Sequence, residues 1–155
     1  MAVQVKETTL SICVTPSNSD LDAAGFAALT YIEICCPQTL PEFGSETNFL
    51  SEHCISGEEL TGVGVSSGME TEIPYFYQDS CAGQAFLRNN VGGMDSYAIR
   101  KVYPDATLTT TATTIYARVK IGGWTDGGGD VDGFHTHTSS LKLSQDPVFV
   151  APAAV

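Results

Sequence analysis

The sequence predicts a mainly-β domain, a β-sandwich or half-barrel with one short α-helix lying against it. Three observations carry that prediction. Apolar and polar residues alternate one by one over most of the chain, which is the period of a strand with one buried face. Thr, Ser and Gly are abundant and charged residues make up only 16% of the chain, the composition of an ordered β-rich protein and not of a disordered one. Helical spacing surfaces only in two short stretches. At 155 residues the chain has the size of one domain that can bury a core without metal or disulfide staples. Residues 1–155 therefore read as a single unit, with no repeat and no linker.

The elements follow in order. Leu10, Ile12 and Val14 fall on one face of a strand, with Ser11 and Cys13 on the other. A turn of helix is expected after Asp20, through Ala23, Ala24 and Phe26. Tyr31 to Cys35 reads as a short strand, cut off by Cys36-Pro37. Residues 45–54 and 69–77 read as two strands flanking a flexible tip, Ser56 to Gly68, which puts an extended hairpin loop within about 37–75. Asp79 or Ser80 can cap a helix with Ala82, Ala85 and Phe86 on one side, ending near Gly92-Gly93. Gly83 weakens that helix by about 1 kcal/mol relative to Ala, so it needs tertiary packing to persist.

Beyond the helix, Tyr97, Ile99, Lys101 and Tyr103 share a strand face. The clearest strand is Thr114 to Gly122, where Ile115, Ala117, Val119 and Ile121 alternate with Tyr116, Arg118 and Lys120. A last strand covers roughly 134–143, and the tail, about 146–155, is expected to be extended. A sheet of about six strands with one helix leaves its edges open, and open edges recruit other chains. Closure into a barrel or a ring of neighbouring copies solves this, and the pattern does not choose between them.

Charge is divided unevenly. Between Lys6 and Arg88 there is no lysine or arginine, and the stretch holds twelve carboxylates, whereas residues 88–155 carry six bases and six acids. The whole excess of the net −11 therefore lies in the first part of the chain. Such a surface repels phosphates and anionic membranes, so a simple nucleic-acid binder and a membrane-surface protein are both disfavoured. No run of about 18 apolar residues occurs, and the first 20 residues lack the basic start and apolar core of a secretory signal. A cytoplasmic origin is expected.

The five cysteines are Cys13, Cys35, Cys36, Cys54 and Cys81. In a cytoplasmic product they are expected as reduced, partly buried thiols. The odd count also permits pairing between subunits in an oxidising medium, with Cys35, Cys36, Cys54 and Cys81 as the candidates.

Catalytic and metal-binding patterns are weak. Gly64-Val65-Ser66-Ser67-Gly68 spells the nucleophile-elbow pattern, with Asp105 and His135 following in hydrolase order. That serine must sit on a strand-to-helix turn, and residues 69–77 alternate like a strand. Asp126, Asp130 and Asp132 resemble half of a calcium loop but lack its terminal glutamate; a turn between strands is expected instead. His135 and His137 share a strand face, and neither His53-Cys54 nor Cys35-Cys36 can chelate from adjacent strand positions. Neither a metal nor another cofactor is expected. Glu70 and Glu72 project from one strand face, and Glu46 and Glu52 from another. A carboxylate pair can serve a glycosidase, but the only tryptophan, Trp124, lies far along the chain. A solvated acidic face is the better reading.

Several stretches, in order, resemble the major tail tube proteins of long-tailed bacteriophages. Residues 20–34 are similar to a family segment in which an Asp-Ala-Ala-Gly-aromatic loop leads into a Thr-aromatic-x-Glu strand. Leu40-Pro41-Glu42-Phe43-Gly44 resembles the family's Leu-x-Glu-Phe-Gly turn. The helix from Asp79 to Arg88 and the strand pair from Ser96 to Trp124 have counterparts, so the similarity spans roughly residues 8–150. The resemblance implies a virion structural protein without catalysis: a β-sandwich with a flanking helix, closed into a ring barrel by six copies and stacked as a hollow tube. It further implies that the long hairpin loop reaches a neighbouring subunit or ring, and that the lumen holds a tape-measure protein before passing double-stranded DNA. The five cysteines and the Gly127-Gly128-Gly129 loop depart from the family pattern.

With that lumen in view, Glu42, Glu46, Glu52, Glu70 and Glu72 are the acidic residues expected to line it, since a carboxylate wall keeps a polyanion off the surface. A tail terminator, a head–tail joining protein or the tube of a contractile particle is the nearest alternative. A monomeric β-sandwich module that binds carbohydrate or calcium is the alternative from another class.

Overall fold

The computed structural model describes residues 8–103 and 113–152, of which 45–50 and 61–68 by their backbone alone. In chain order the elements are β1 (Thr9–Pro16), α1 (Ala23–Ala27), β2 (Tyr31–Glu33), β3 (Ser45–His53) and β4 (Glu59–Gly68). They continue with β5 (Glu70–Phe76), α2 (Ala82–Asn89), β6 (Tyr97–Val102), β7 (Thr114–Asp126) and β8 (Thr136–Val150). Six strands form one sheet in the order β2-β1-β6-β7-β8-β5, antiparallel throughout. β3 and β4 form a separate two-stranded arm.

Alternation builds the core as expected for β6 and β7. Ile99, Ala117, Val119 and Ile121 point inward and meet Leu10, Ile12, Ile73, Tyr75, Leu141 and Leu143 from the other strands. The sheet curls around these residues and α2 fills the concave side with Leu87. A half-barrel with a flanking helix is the outcome, as the sequence predicts.

The opposite face is not simply polar. α1 covers part of it: Phe26 stacks on Tyr116 with ring centroids 5.2 Å apart, over Cys13 and Ala98. The carboxylate of Asp22 caps this helix by accepting from the Gly25 amide at 2.7 Å. Ser11 and Cys13, expected on the outer face of β1, are therefore buried too. Val14 is 46% exposed, because the β1–β6 register shifts between Ile12 and Pro16 and breaks the alternation.

Three further expectations need correction. Residues 56–68 are not a loop tip: β4 runs through them and pairs with β3, so the turn shrinks to Cys54–Glu58, closed by Cys54 N–H donating to Glu58 O at 2.7 Å. The strand ladder is made by backbone groups, which glycine and serine supply as well as any residue. α2 is entered at Cys81 without a side-chain cap, not at Asp79 or Ser80, and its inner face is Gly83, Gln84 and Leu87 while Ala82 is exposed. β8 continues to Val150 through Pro147, which the ladder tolerates because the β7–β8 register shifts between Tyr116 and Arg118.

Candidate functional site

β2 and β5 are the two edges of the curled sheet, and the chain after β2 brings them together. Cys36, with φ 47, turns the backbone so that Pro37 bridges Tyr75. Gln38 N–H donates to Pro74 O at 2.8 Å and Phe76 N–H to Cys36 O at 3.1 Å. Pro74 has no N–H to give a ladder, and an edge strand is where this is tolerated. Beneath this seam lies Gln84, which is buried; its Nε2 donates to Cys35 O and to Phe76 O, both at 2.9 Å, and its Oε1 accepts from Gln78 N–H at 2.8 Å. A disulfide joins Cys35 to Cys81 beside it.

Cys35 and Cys81 thus stand against two expectations. They are paired with each other within the chain, because the residue that precedes helix α2 docks beside the end of β2. Cys13 is a buried thiol, Cys36 an exposed one, and Cys54 lies half-buried in the turn of the arm.

From the seam, residues 39–43 run on beside β5. Glu42 N–H donates to Thr71 Oγ1 at 3.0 Å. Lys101, expected simply as one member of a strand face, is buried and inward: its Nζ donates to Pro41 O at 2.7 Å and sits 4.7 Å from the centre of the Phe43 ring. Burial holds its ammonium below the usual lysine range, and the nearby Glu42 pulls the other way. Lys101 therefore ties the base of the arm to the barrel.

Between this segment and the outer face of β5 and β8 lies an open groove of ≈780 Å³. Glu42, Glu70 and Glu72 converge on it, with Thr39 and Leu40 on one wall and Lys142 on the other. Glu70 stands opposite Lys142 in the β5–β8 register. The groove holds three carboxylates against one ammonium, and its wall on the sheet is flat and open. That arrangement repels polyanions.

Of the five glutamates expected to act together, the structure brings three to one place. Glu52 is exposed on the arm, paired in register with Leu60. Glu46 pairs with Ser67 through its backbone, and its side chain lies outside the described residues. Lys142 is the member that sequence reading missed. Alternation with Leu141 and Leu143 puts it on the outer face, but only the tertiary pairing sets it opposite Glu70.

The weaker motifs resolve as local structure. Gly64–Gly68 is part of strand β4, followed at Glu70 by β5 and not by a helix; Asp105 lies outside the described residues. His135 precedes β8 and is exposed, so it does not share a strand face with His137. His137 is buried beside Trp124, with ring centroids 4.9 Å apart, and its Nε2 is 3.8 Å from Asp126. Asp126 in turn accepts from Gly128 N–H at 2.9 Å, which makes it a turn-forming residue. Among the described residues no group of three or more His, Cys, Asp or Glu side chains converges to hold a metal ion.

No protein-family model and no curated protein sequence matches the chain. Solved structures do match it in fold. The sheath/tube terminator of the PVC extracellular contractile injection system superposes with a TM-score of 0.69 at 9% identity, covering 97% of this chain and 98% of that one. The tube-terminating cap of the anti-feeding prophage gives 0.66 at 6% identity, with 97% and 92% covered. The SPP1 tail tube gives 0.63 at 13% identity, with 99% and 80% covered. The fold is that of tail tube and tube terminator proteins.

Proposed function

We propose that the chain is a non-catalytic structural component of a phage-type tail that assembles with copies of itself into stacked six-membered rings around a channel. The observation that carries this reading is the likeness of fold over 97–99% of the chain to proteins that build or close such tubes. The groove of Glu42, Glu70 and Glu72 gives the channel its chemistry. Each phosphate neutralised by a cation would add affinity through counterion release and slow a moving duplex. A carboxylate wall, repeated around the ring, repels it instead. In this reading the channel holds a tape-measure protein during assembly in the host cytoplasm and passes double-stranded DNA afterwards. Its place is the virion tail.

Concentrating the purified chain and imaging it in negative stain tests the reading. Hollow rods are expected. A solution of monomers at every concentration contradicts it. A terminator is the second reading, favoured by the likeness to the PVC terminator and the anti-feeding prophage cap. It predicts single rings that never extend.

A further inference from the structure

We propose that the Cys35–Cys81 disulfide is a redox latch on the seam of the half-barrel: oxidised, it keeps the edges beside β2 and β5 sealed; reduced, it lets them part and offers them to a second copy of this chain. The second half rests on the tube reading, and the first does not.

The bond sits where a latch must. Cys35 follows β2 by two residues, and Cys81 immediately precedes α2. Apart from the disulfide, the described seam is a one-residue bridge at Pro37 and Tyr75 with two backbone hydrogen bonds, an exposed contact from Gln78 Nε2 to Cys36 Sγ at 2.8 Å, and the Gln84 amide beneath. Gln84 is carried by α2, so whatever holds the start of α2 to the end of β2 also holds the amide under both edges. The 46-residue separation between the two cysteines contains the whole arm and β5. Cutting the bond frees this loop to separate from β2, while β1, β6, β7 and β8 keep their own ladders. Freed edges carry unpaired N–H and C=O groups, which are templates for another strand.

The chemistry is ordinary exchange with a dithiol. Cys35 is the half-buried partner and Cys81 the buried one. A thiolate of the reductant attacks Sγ of Cys35, the S–S bond breaks, and Sγ of Cys81 leaves with the electron pair and takes a proton. The reductant's second thiol then displaces Cys35, which leaves as a thiol. Two electrons and two protons pass to the protein, and the dithiol becomes a cyclic disulfide.

Amide hydrogen exchange on the full chain, oxidised and in dithiothreitol, tests the latch, with the Cys35→Ser/Cys81→Ser variant as a second reduced-like form. The Gln38 and Phe76 amides should exchange at least about ten-fold faster once the bond is open, while those of Ile99 and Val119 stay within about two-fold. Unchanged protection at the seam overturns the latch. Loss of protection everywhere overturns it as well, because the bond would then staple the whole fold. If the variant fails to fold, the reduced native chain decides. Sedimentation of the same samples separates the two halves of the proposal. Stronger association of the reduced chain supports edge donation, and equal, measurable association in both states overturns it. Association in neither state overturns the tube reading, and the amides still decide the latch.

Discussion

Gly83 of α2 lies so close to the backbone of Glu33 that a Cβ at this position would overlap the Glu33 carbonyl oxygen. The glycine that weakens an isolated helix is what lets this helix dock on the end of β2. Gly83→Ala should therefore destabilise the chain by about 1–3 kcal/mol through overpacking, although alanine is the better helix former by about 1 kcal/mol. Urea unfolding measures it; a more stable variant would show that α2 does not sit this close.

Gln84 holds both edges of the sheet with one buried amide. Gln84→Leu keeps the size but strands Gln78 N–H, Cys35 O and Phe76 O without this partner. A loss of about 2–4 kcal/mol is expected, since unsatisfied buried polar groups carry the full cost of desolvation. A change below about 0.5 kcal/mol would mean that water replaces the amide at the seam.

Arg118 ties three chain segments by donating to Ser17 O at 3.2 Å, Asp20 Oδ1 at 2.7 Å and Ser144 O at 3.2 Å. Its side chain is 8% exposed and that of Asp20 is 80% exposed. The ion pair itself is then largely screened, and the two carbonyl contacts matter more. Asp20→Asn should cost less than about 1 kcal/mol and Arg118→Ala about 2–4 kcal/mol, read from the same unfolding curves.

Alkaline pH should act through Tyr31. Its hydroxyl donates to Phe26 O at 2.8 Å, and burial, then Tyr116 and Cys13, raise its pKa while Arg100 lowers it. Tyr97 is raised in the same direction, first by burial and then by Asp95. The native state keeps these protons above about pH 10, where unfolded tyrosine has lost them, so stability is full below about pH 10 and falls beyond it. Lys101 works oppositely. It sheds its proton in the native state first, so its contribution rises with pH up to about 10.4. Urea midpoints across this range should rise towards about pH 10 and then fall, and Tyr31→Phe should flatten the falling limb.

The groove supplies a charge test. Glu70 faces Lys142 across the sheet, so reversing it would create a like-charge pair and confuse the result. Glu42→Lys with Glu72→Lys avoids that. Stability should change by less than about 1 kcal/mol and assembly should persist. Duplex DNA should now co-sediment with the tubes at low salt and be released as salt rises. Equal DNA binding by the native and variant assemblies would remove these side chains from the channel.

The fold was legible where apolar residues repeat at every second position. Ala117, Val119 and Ile121 do so on β7 and place that strand, although Tyr116 and Arg118 on its other face are buried as well, under α1 and the 17–20 segment. The pairing of β3 with β4 was not legible, because Gly62, Gly64, Ser66 and Ser67 carry no apolar period and only backbone groups specify the ladder. Helix α2 is eight residues long, too short for spacing to define its inner face; the close approach at Gly83 defines it. Within the groove, Glu70 and Glu72 could be set on one face from their spacing. Glu42 and Lys142 join them only through the path of residues 39–43 and the β5–β8 register, for which a single sequence carries no signal.

A reconstruction of the assembled chain by electron cryomicroscopy measures the central claim most directly. The account predicts a hollow tube of stacked rings with Glu42, Glu70 and Glu72 of every copy facing the channel. A tube that turns these carboxylates to its outer surface, or a preparation that holds only single folded chains, would contradict it.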